Sequence, residues 1–231
     1  REDDSRKMQV FISQPNFDPY EKFTALSQSQ QNVILLDLFD KALKDYSPDG
    51  YPALLLTPET FTYDIIVNNY QMSPTWNRFQ SYLEEYPGAN MLFGASTYEF
   101  YMQEEAPSYT ARPAGDGVWY ENHNSAVMID NSPRMEFYHK SRLVIGTEKM
   151  PYPRITGKIE NAFGGNLLGH CIGQDEVSLL NVVKRDSLTS SIPVGCAVCY
   201  ESIYPEHFAS YVAAGAKAMT VITNDAWWGD T

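Results

Sequence analysis

The sequence predicts an α/β fold in which sheets are covered on both faces. Short runs of strand composition alternate along the chain with segments whose apolar residues recur near the helical period. The strand-like runs are continuously apolar rather than half polar, as strands buried on both faces are. The 231 residues, 43% of them hydrophobic, suffice for one sizeable core, so we expect a single domain.

The first elements are a strand and a long helix. Residues 8–14 have strand composition and end at Pro15-Asn16, a turn signal. From about 20 to 44, apolar residues recur close to the helical period, which indicates an amphipathic helix. The segment Ser47-Pro48-Asp49-Gly50 closes that helix.

A buried strand and a second helix follow. Residues 53–56 are Ala-Leu-Leu-Leu, and this run stops at Thr57-Pro58-Glu59, so Glu59 lies just past the carboxyl end of a strand. Ser73-Pro74 is an N-cap followed by proline at the first helical position, and it begins a helix that reaches about Tyr86. Further strands are expected at 91–97, 126–129, 135–139, 194–199 and 219–223, and a further helix at 206–214.

The remaining stretches at 101–122 and 150–173 are rich in Gly, Pro and polar residues. They are long for connections in a compact domain, and loops of this length are usually lids or binding loops. We expect the domain to cover residues 8–231. Residues 1–7 have no apolar core or cleavage site and are expected to be a solvated linker at the edge of an excised segment.

The net charge and the length of the uncharged stretches argue against nucleic-acid binding and against a transmembrane helix within these residues. The net charge is −12, from 17 Lys and Arg against 29 Asp and Glu, so the basic footprint that nucleic-acid binding needs is missing. The uncharged stretch 187–200 is shorter than the roughly 18 apolar residues that span a bilayer. We therefore expect neither a nucleic-acid partner nor a transmembrane helix here.

The three cysteines do not form a disulfide framework, because the set is odd and sparse. Cys196 and Cys199 form a C-x-x-C, which could be a redox pair or half of a zinc site. Strand alternation sends positions three apart to opposite faces, which disfavours both interpretations. The four histidines show no metal-ligand spacing, and no metal or cofactor is implied.

Three side chains could carry covalent chemistry. Cys199 ends an apolar strand, and a thiol becomes a nucleophile only as thiolate, beside a base or a positive charge. Glu59 and Lys140 each lie at or just after the end of their own strand, where α/β sheets gather their ligands. Taken singly, such a cysteine is more often inert core and such a Glu or Lys merely solvated.

At these residues the sequence resembles the nitrilase superfamily. Thr57-Pro58-Glu59-Thr60, Tyr138-His139-Lys140 and Cys199-Tyr200-Glu201 resemble its glutamate, lysine and cysteine motifs, in the superfamily's order. Within it, the chain is similar to the periplasmic domain of the apolipoprotein N-acyltransferases. That likeness extends through Gln14-Pro15-Asn16, residues 199–206 and the stretch Thr223-Asn224-Asp225-Ala226-Trp227-Trp228-Gly229-Asp230.

The resemblance implies a four-layer α-β-β-α sandwich, incomplete at the carboxyl end of this chain. It also implies a two-step acyl transfer without a cofactor. Cys199 would take an acyl chain from a phospholipid as a thioester and pass it to the α-amine of the diacylglyceryl-cysteine of an apolipoprotein. Glu59 would be the general base, and Lys140 with the backbone N–H of Tyr200 would stabilise the oxyanion.

Three further residues acquire supporting roles from the same resemblance. Glu201 would orient Lys140, Tyr200 would shape the pocket, and Glu148 would be a supporting carboxylate. The alternative is that all three make ordinary structural contacts. The family's domain stands on the periplasmic face of the bacterial inner membrane, anchored by transmembrane segments on both sides. Its lipid-facing surface is expected in the two long loops, at Tyr101, Met102, Tyr109, Trp119, Met150, Tyr152 and Phe163.

Two other functions remain open from the sequence. A soluble carbon-nitrogen hydrolase would use Glu59, Lys140 and Cys199 to cleave an amide or nitrile with water. A binding module would keep the fold without the chemistry, although the presence of all three residue types argues against it.

Overall fold

The computed structural model describes residues 7–18, 24–48, 50–149, 170–184 and 187–224. The described part of the chain forms ten strands and three α-helices. The strands are β1 (Gln9–Ile12), β2 (Ala53–Leu56), β3 (Thr62–Ile66), β4 (Ala89–Met102), β5 (Arg112–Gly115), β6 (Val118–Ile129), β7 (Met135–His139), β8 (Leu180–Lys184), β9 (Ser187–Val198) and β10 (Ala218–Ile222). The helices are α1 (Gln28–Ala42), α2 (Pro74–Glu85) and α3 (Pro205–Ala214), and short 3₁₀ segments cover Val67–Met72 and Cys199–Ile203.

The strands form a large and a small sheet. The large sheet has the order β1-β2-β4-β6-β5, with β3 also on β4 and β7 also on β6. Its strands β1, β2 and β3 run parallel to their neighbours, whereas β4 and β6 form a long antiparallel hairpin. The small sheet has the order β10-β9-β8, in which β10 is parallel and β8 antiparallel to β9.

Alternate residues of the large sheet face two different cores. On one face, helices α1 and α2 pack against the sheet. On the other face, the small sheet packs against it, and Tyr211 of α3 lies over Gly195 on the far side of the small sheet. The first core includes Leu35, Phe39, Phe79, Leu83, Leu55, Met91, Phe93 and Val127, and the second includes Leu54, Leu92, Ala126, Met128, Val182, Val194, Cys196 and Val198. The helix-sheet-sheet-helix order is the predicted four-layer sandwich.

Local sequence explains where the helices begin and end. The Ser27 side chain accepts a hydrogen bond from the Gln30 N–H, and Gln30 reciprocates in a capping box at the start of α1. Ser73 caps α2 just before Pro74, as predicted. Gly215 ends α3 with φ 104°, a left-handed conformation that glycine adopts without strain.

The predicted elements are confirmed with shifted bounds, and one stretch is corrected. The segment 101–122, expected to be a long loop, contains the end of β4, all of β5 and the start of β6. The strands of this hairpin are only partly buried here, so they lack the continuous apolar pattern that marked the others. The sequence also missed β3 and β8. The helix expected from 20 begins at Gln28, and residues 150–169 and 225–231 lie outside the described residues.

No helix in the described ranges has the length and apolarity needed to cross a bilayer; α1, with 15 residues, is the longest.

A close backbone approach holds the turn after β2. Gly94 of β4 donates its N–H to the Pro58 carbonyl at 3.2 Å, and its own carbonyl accepts from the Phe61 N–H at 2.8 Å. A Cβ at Gly94 would lie 2.5 Å from the Thr60 nitrogen and 2.6 Å from the Glu59 Cα. Only glycine lets the turn that carries Glu59 lie directly against the sheet.

We expect Gly94→Ala to lower the free energy of unfolding by about 1–3 kcal/mol, because the clash is with backbone that cannot rotate away. Gly115→Ala is the matched control, since a Cβ there meets nothing within 4 Å, and it should change stability by no more than about 0.5 kcal/mol. Urea denaturation followed by circular dichroism measures both. Equal stability of the two variants would contradict this account of the turn.

Candidate active site

The site lies where the ends of β2, β7 and β9 converge. Glu59 follows β2, Lys140 follows β7 and Cys199 follows β9. The Lys140 ammonium lies 3.4 Å from a Glu59 carboxylate oxygen. Cys199 lies close enough to both groups that their charges shift the pKa of its thiol. Residues 81 and 59 positions apart in sequence thus meet in one place, which the motif spacing alone could not establish.

Glu59 is buried, with 7% of its surface exposed, and two sheets hold it. Its backbone N–H donates to the carbonyl of Thr223, beyond the end of β10, at 3.4 Å. Its Oε1 accepts a hydrogen bond from Asn124 Nδ2 at 2.8 Å. The next residue, Thr60, has φ 49°, a left-handed conformation that turns the chain sharply after the carboxylate.

Lys140 is a buried cation held between two carboxylates. Its ammonium, 1% exposed, donates to Glu148 Oε1 at 2.8 Å and to Glu59 Oε1 at 3.4 Å. Burial alone would lower the Lys140 pKa, but the charges of Glu59 and Glu148 outweigh it and the pKa is raised. The side chain therefore carries a fixed positive charge beside the thiol.

Glu148 is placed by its own loop. Its Oε2 accepts a hydrogen bond from the Val144 N–H at 2.8 Å, and its backbone N–H donates to the Val144 carbonyl at 2.9 Å. The loop thereby folds back so that Oε1 reaches Lys140. The role of Glu148 as a supporting carboxylate, which the resemblance implies, stays a prediction.

Cys199 leaves the strand in a left-handed conformation. Strand β9 ends at Val198, one residue earlier than predicted, and Cys199 has φ 51° at the start of the 3₁₀ turn. Burial raises the pKa of the Cys199 thiol, the Glu59 charge raises it further, and Thr223 and Lys140 oppose the increase. The resting residue is a thiol, so its chemistry needs a base to take the proton.

Cys196 occupies a different environment from Cys199. Its side chain is fully buried between the two sheets, where burial raises its thiol pKa to about 12. Among the residues that the structure describes, no cluster of His, Cys, Asp and Glu is suited to hold a metal ion. The pair thus lacks the shared, accessible surroundings of a redox C-x-x-C.

Glu201 is fully buried and joins two loops of the site. Its Oε2 accepts from the Val198 N–H at 2.8 Å, while its Oε1 accepts from the N–H groups of Ser141 at 2.8 Å and Arg142 at 3.0 Å. The carboxylate therefore holds the backbone that follows Lys140, and its contacts differ from the direct orientation of the ammonium that the sequence suggested. Tyr138 donates a further bond to Oε1 at 2.6 Å.

Tyr200 lies at the surface rather than within this network. Its side chain is 42% exposed, and its ring packs edge-on against Tyr204 at 5.4 Å. A role for its backbone N–H in binding an oxyanion stays a prediction.

Asn124 is the central residue that the sequence did not reveal. Its Nδ2 bridges Glu59 Oε1 at 2.8 Å and Glu148 Oε1 at 2.7 Å, and its carbonyl accepts from the Lys140 N–H at 2.8 Å. It belongs to no motif and lies within β6. The only available signal was a polar side chain on the strand face that continues as apolar Ala126 and Met128.

Comparison with known sequences places these motifs in a family. The carbon-nitrogen hydrolase family profile matches residues 54–231. The chain is 25% identical over 234 residues to an apolipoprotein N-acyltransferase of Chlorobaculum tepidum, covering 97% of this chain and 41% of the relative. It is also 25% identical over 219 residues to the apolipoprotein N-acyltransferase of Thermotoga maritima, covering 95% of this chain and 33% of that relative. The chain spans less than half the length of either relative.

Solved structures support the same fold. A Saccharomyces cerevisiae nitrilase-superfamily protein superposes with a TM-score of 0.53 at 11% identity, over 85% of this chain and 59% of that one. A Nesterenkonia amidase variant with acrylamide added at its active-site cysteine superposes with a TM-score of 0.51 at 18% identity. That superposition covers 97% of this chain and 72% of the amidase. Together with the family match, this likeness in fold leads to one conclusion: the chain belongs to the carbon-nitrogen hydrolase family.

Proposed function

We propose that this chain is the catalytic domain of a phospholipid-dependent apolipoprotein N-acyltransferase. The observation that carries the proposal is the convergence of Glu59, Lys140 and the partly buried Cys199 at one site. These groups supply a base, a fixed cation and a nucleophile, which acyl transfer through a thioester requires. The names of the relatives matched over nearly the whole chain favour acyl transfer over hydrolysis.

In the first half-reaction, the Cys199 sulfur attacks the ester carbonyl carbon of a phospholipid acyl chain. Glu59 takes the thiol proton as the S–C bond forms, and Lys140 with the Tyr200 N–H stabilises the oxyanion. The ester C–O bond then breaks, and Glu59 returns the proton to the departing glycerol oxygen. The products are a Cys199 thioester and a lysophospholipid.

In the second half-reaction, the α-amine of a diacylglyceryl-cysteine attacks the thioester carbon. Glu59 now accepts a proton from the amine, and Lys140 faces the second oxyanion. The C–S bond breaks, the sulfur regains its proton from Glu59, and the apolipoprotein leaves as an amide. We place this reaction at the periplasmic face of the bacterial inner membrane, with segments beyond this chain holding the domain there.

A soluble carbon-nitrogen hydrolase would share the first step and differ only in the second nucleophile. Water would then release a free fatty acid, whereas the proposed transferase gives an acylated lipopeptide. The test incubates the full-length protein with vesicles of phosphatidylethanolamine and phosphatidylglycerol and a diacylglyceryl lipopeptide. Mass spectrometry should find an acyl adduct on Cys199 and an N-acylated peptide; release of free fatty acid alone would refute acyl transfer.

The two cysteines of the C-x-x-C should differ completely in this assay. Cys199→Ala should abolish the acyl adduct and the N-acylated peptide, because it removes the proposed nucleophile. Cys196→Ala should keep acyl transfer within about threefold, since its cost is the loss of a small buried side chain. An equal loss in both variants would revive the redox or zinc interpretation.

Thiol ionisation and acyl transfer should respond to Glu59→Gln in opposite directions. The Glu59 charge raises the Cys199 pKa, so its removal lowers that pKa and increases the thiolate fraction at a given pH. Iodoacetamide labelling of Cys199 at pH 8 should therefore become faster. Acyl transfer should fall by at least about 100-fold, because the general base is lost.

Lys140→Met is the control that should change the rate of Cys199 labelling in the opposite direction. The Lys140 charge lowers the Cys199 pKa, so labelling should become slower and its midpoint should move to higher pH. Peptide mapping assigns the label to Cys199, and circular dichroism checks folding. If Glu59→Gln slowed labelling and transfer together, Glu59 would be forming a resting thiolate, and the proposed charge balance would be wrong.

A further inference from the structure

A second concave surface lies on the outer half of the β4–β6 hairpin. This aromatic groove has a volume of about 380 Å³ and is lined by Tyr63, Asp64, Ile66, Tyr98, Phe100, Ala114 and Tyr120. Its single carboxylate is already engaged: Asp64 accepts from the Thr62 hydroxyl at 2.7 Å and from the Thr75 N–H at 3.0 Å. The remaining surface is aromatic or aliphatic, which suits a hydrocarbon rather than an ionic ligand.

The aromatic groove lies on the same face of the hairpin as the active site. In the β4–β6 register, Tyr98 is opposite Asn122 and Phe100 is opposite Tyr120. Strand alternation puts Tyr120, Asn122 and Asn124 on one face, and Asn124 touches Glu59. Two residues of antiparallel strand span about 7 Å, so the inner end of the groove begins about that far from Asn124.

Cys171 connects the two sites. Its backbone forms an isolated parallel β-bridge with that of Asn122 in β6. Burial raises its thiol pKa to about 12, the Glu148 charge adds to this, and Lys140 opposes it. The Tyr98 pKa is raised by burial, then by Tyr120 and by Cys171. Cys171 therefore lies between the catalytic charges and the aromatic groove, beside Asn122 of β6.

The outer end of the groove continues as an apolar line to the hairpin tip. Met102 follows Tyr98 and Phe100 on the same face of β4 and is 91% exposed. Rings stack along the path, with Tyr98 and Tyr120 at 6.1 Å and Phe100 and Tyr120 at 5.9 Å. An extended chain could thus enter at Met102 and end with its reactive carbon near Asn124.

We propose that the aromatic groove seats the hydrocarbon tail of the acyl donor, with the ester carbon at Cys199 and the chain running outward along β4 and β6. The inference rests on the proposed function, because it assumes an acyl chain bound at Cys199. It adds a location for the chain and predicts that the groove sets the preference for long over short acyl groups.

The test compares 4-nitrophenyl acetate with 4-nitrophenyl decanoate in a single turnover. The Cys199 sulfur attacks the ester carbon, Glu59 takes the thiol proton, the C–O bond breaks and 4-nitrophenolate leaves with its absorbance. Ala114→Trp fills the groove from an exposed strand position, and Tyr63→Glu places a charge in its wall. Ala42→Trp, exposed at the end of α1 on the opposite face of the large sheet, is the matched control.

We expect Ala114→Trp and Tyr63→Glu to slow decanoyl transfer to Cys199 at least tenfold while acetyl transfer stays within twofold. Tenfold corresponds to about 1.4 kcal/mol, roughly the burial of two methylene groups. Ala42→Trp should change neither rate.

Unchanged decanoyl rates in both groove variants, or equal slowing of both esters in correctly folded protein, would overturn the groove inference. Acetylation of Cys199 would still leave the proposed function standing in either case. If neither ester left an acyl mass on Cys199 of the wild-type protein, the proposed function itself would fail, and the groove inference with it. Should one groove variant misfold by circular dichroism, the other decides.

Discussion

The structure of the site depends on one buried cation. The Lys140 ammonium is 1% exposed and pairs with Glu59 and Glu148. Removing one partner of a buried ion pair typically costs about 3–5 kcal/mol, because a charge is left without compensation in a medium that solvates it poorly. The three groups come from the end of β2, the end of β7 and the loop after it. Satisfying Lys140 therefore forces these segments together, and Asn124 fills the remaining space between the two carboxylates.

The same charge arrangement sets how Cys199 is activated. Two carboxylates around one ammonium leave an excess negative charge near the sulfur, and burial and Glu59 together raise the thiol pKa despite Lys140. A resting thiolate is thus disfavoured, which protects the nucleophile from adventitious oxidation. In the proposed reaction, deprotonation becomes favourable when the sulfur begins to bond to carbon and the new negative charge moves to an oxyanion near Lys140. The site is suited to stabilise charge in the transition state rather than in the free enzyme.

The sequence predicted those parts of the molecule whose local pattern matches their burial. Strand β7 was predicted to the residue and β2 was confirmed at Ala53–Leu56, because each side of β2 faces a different apolar core. The outer half of the β4–β6 hairpin was missed because it is only partly buried and mixes polar with aromatic residues. Motifs identified Glu59, Lys140 and Cys199, but Asn124 stands outside any motif. Its importance comes from contacts with residues 65 and 24 positions away.

Glu201 shows why the contacts of a motif residue cannot be specified from sequence alone. Three of its partners are backbone N–H groups, which a motif of side chains cannot specify. Through them it ties Val198, just before the nucleophile, to Ser141 and Arg142, just after the cation. A carboxylate suits this position because both oxygens only accept, whereas a glutamine would turn an NH₂ group toward other donors at one of the two loops. The separation of Cys199 from Lys140 is therefore fixed through the main chain. In the proposed mechanism these two residues act on the same carbonyl group, and a fixed spacing of their backbones keeps both within reach of it.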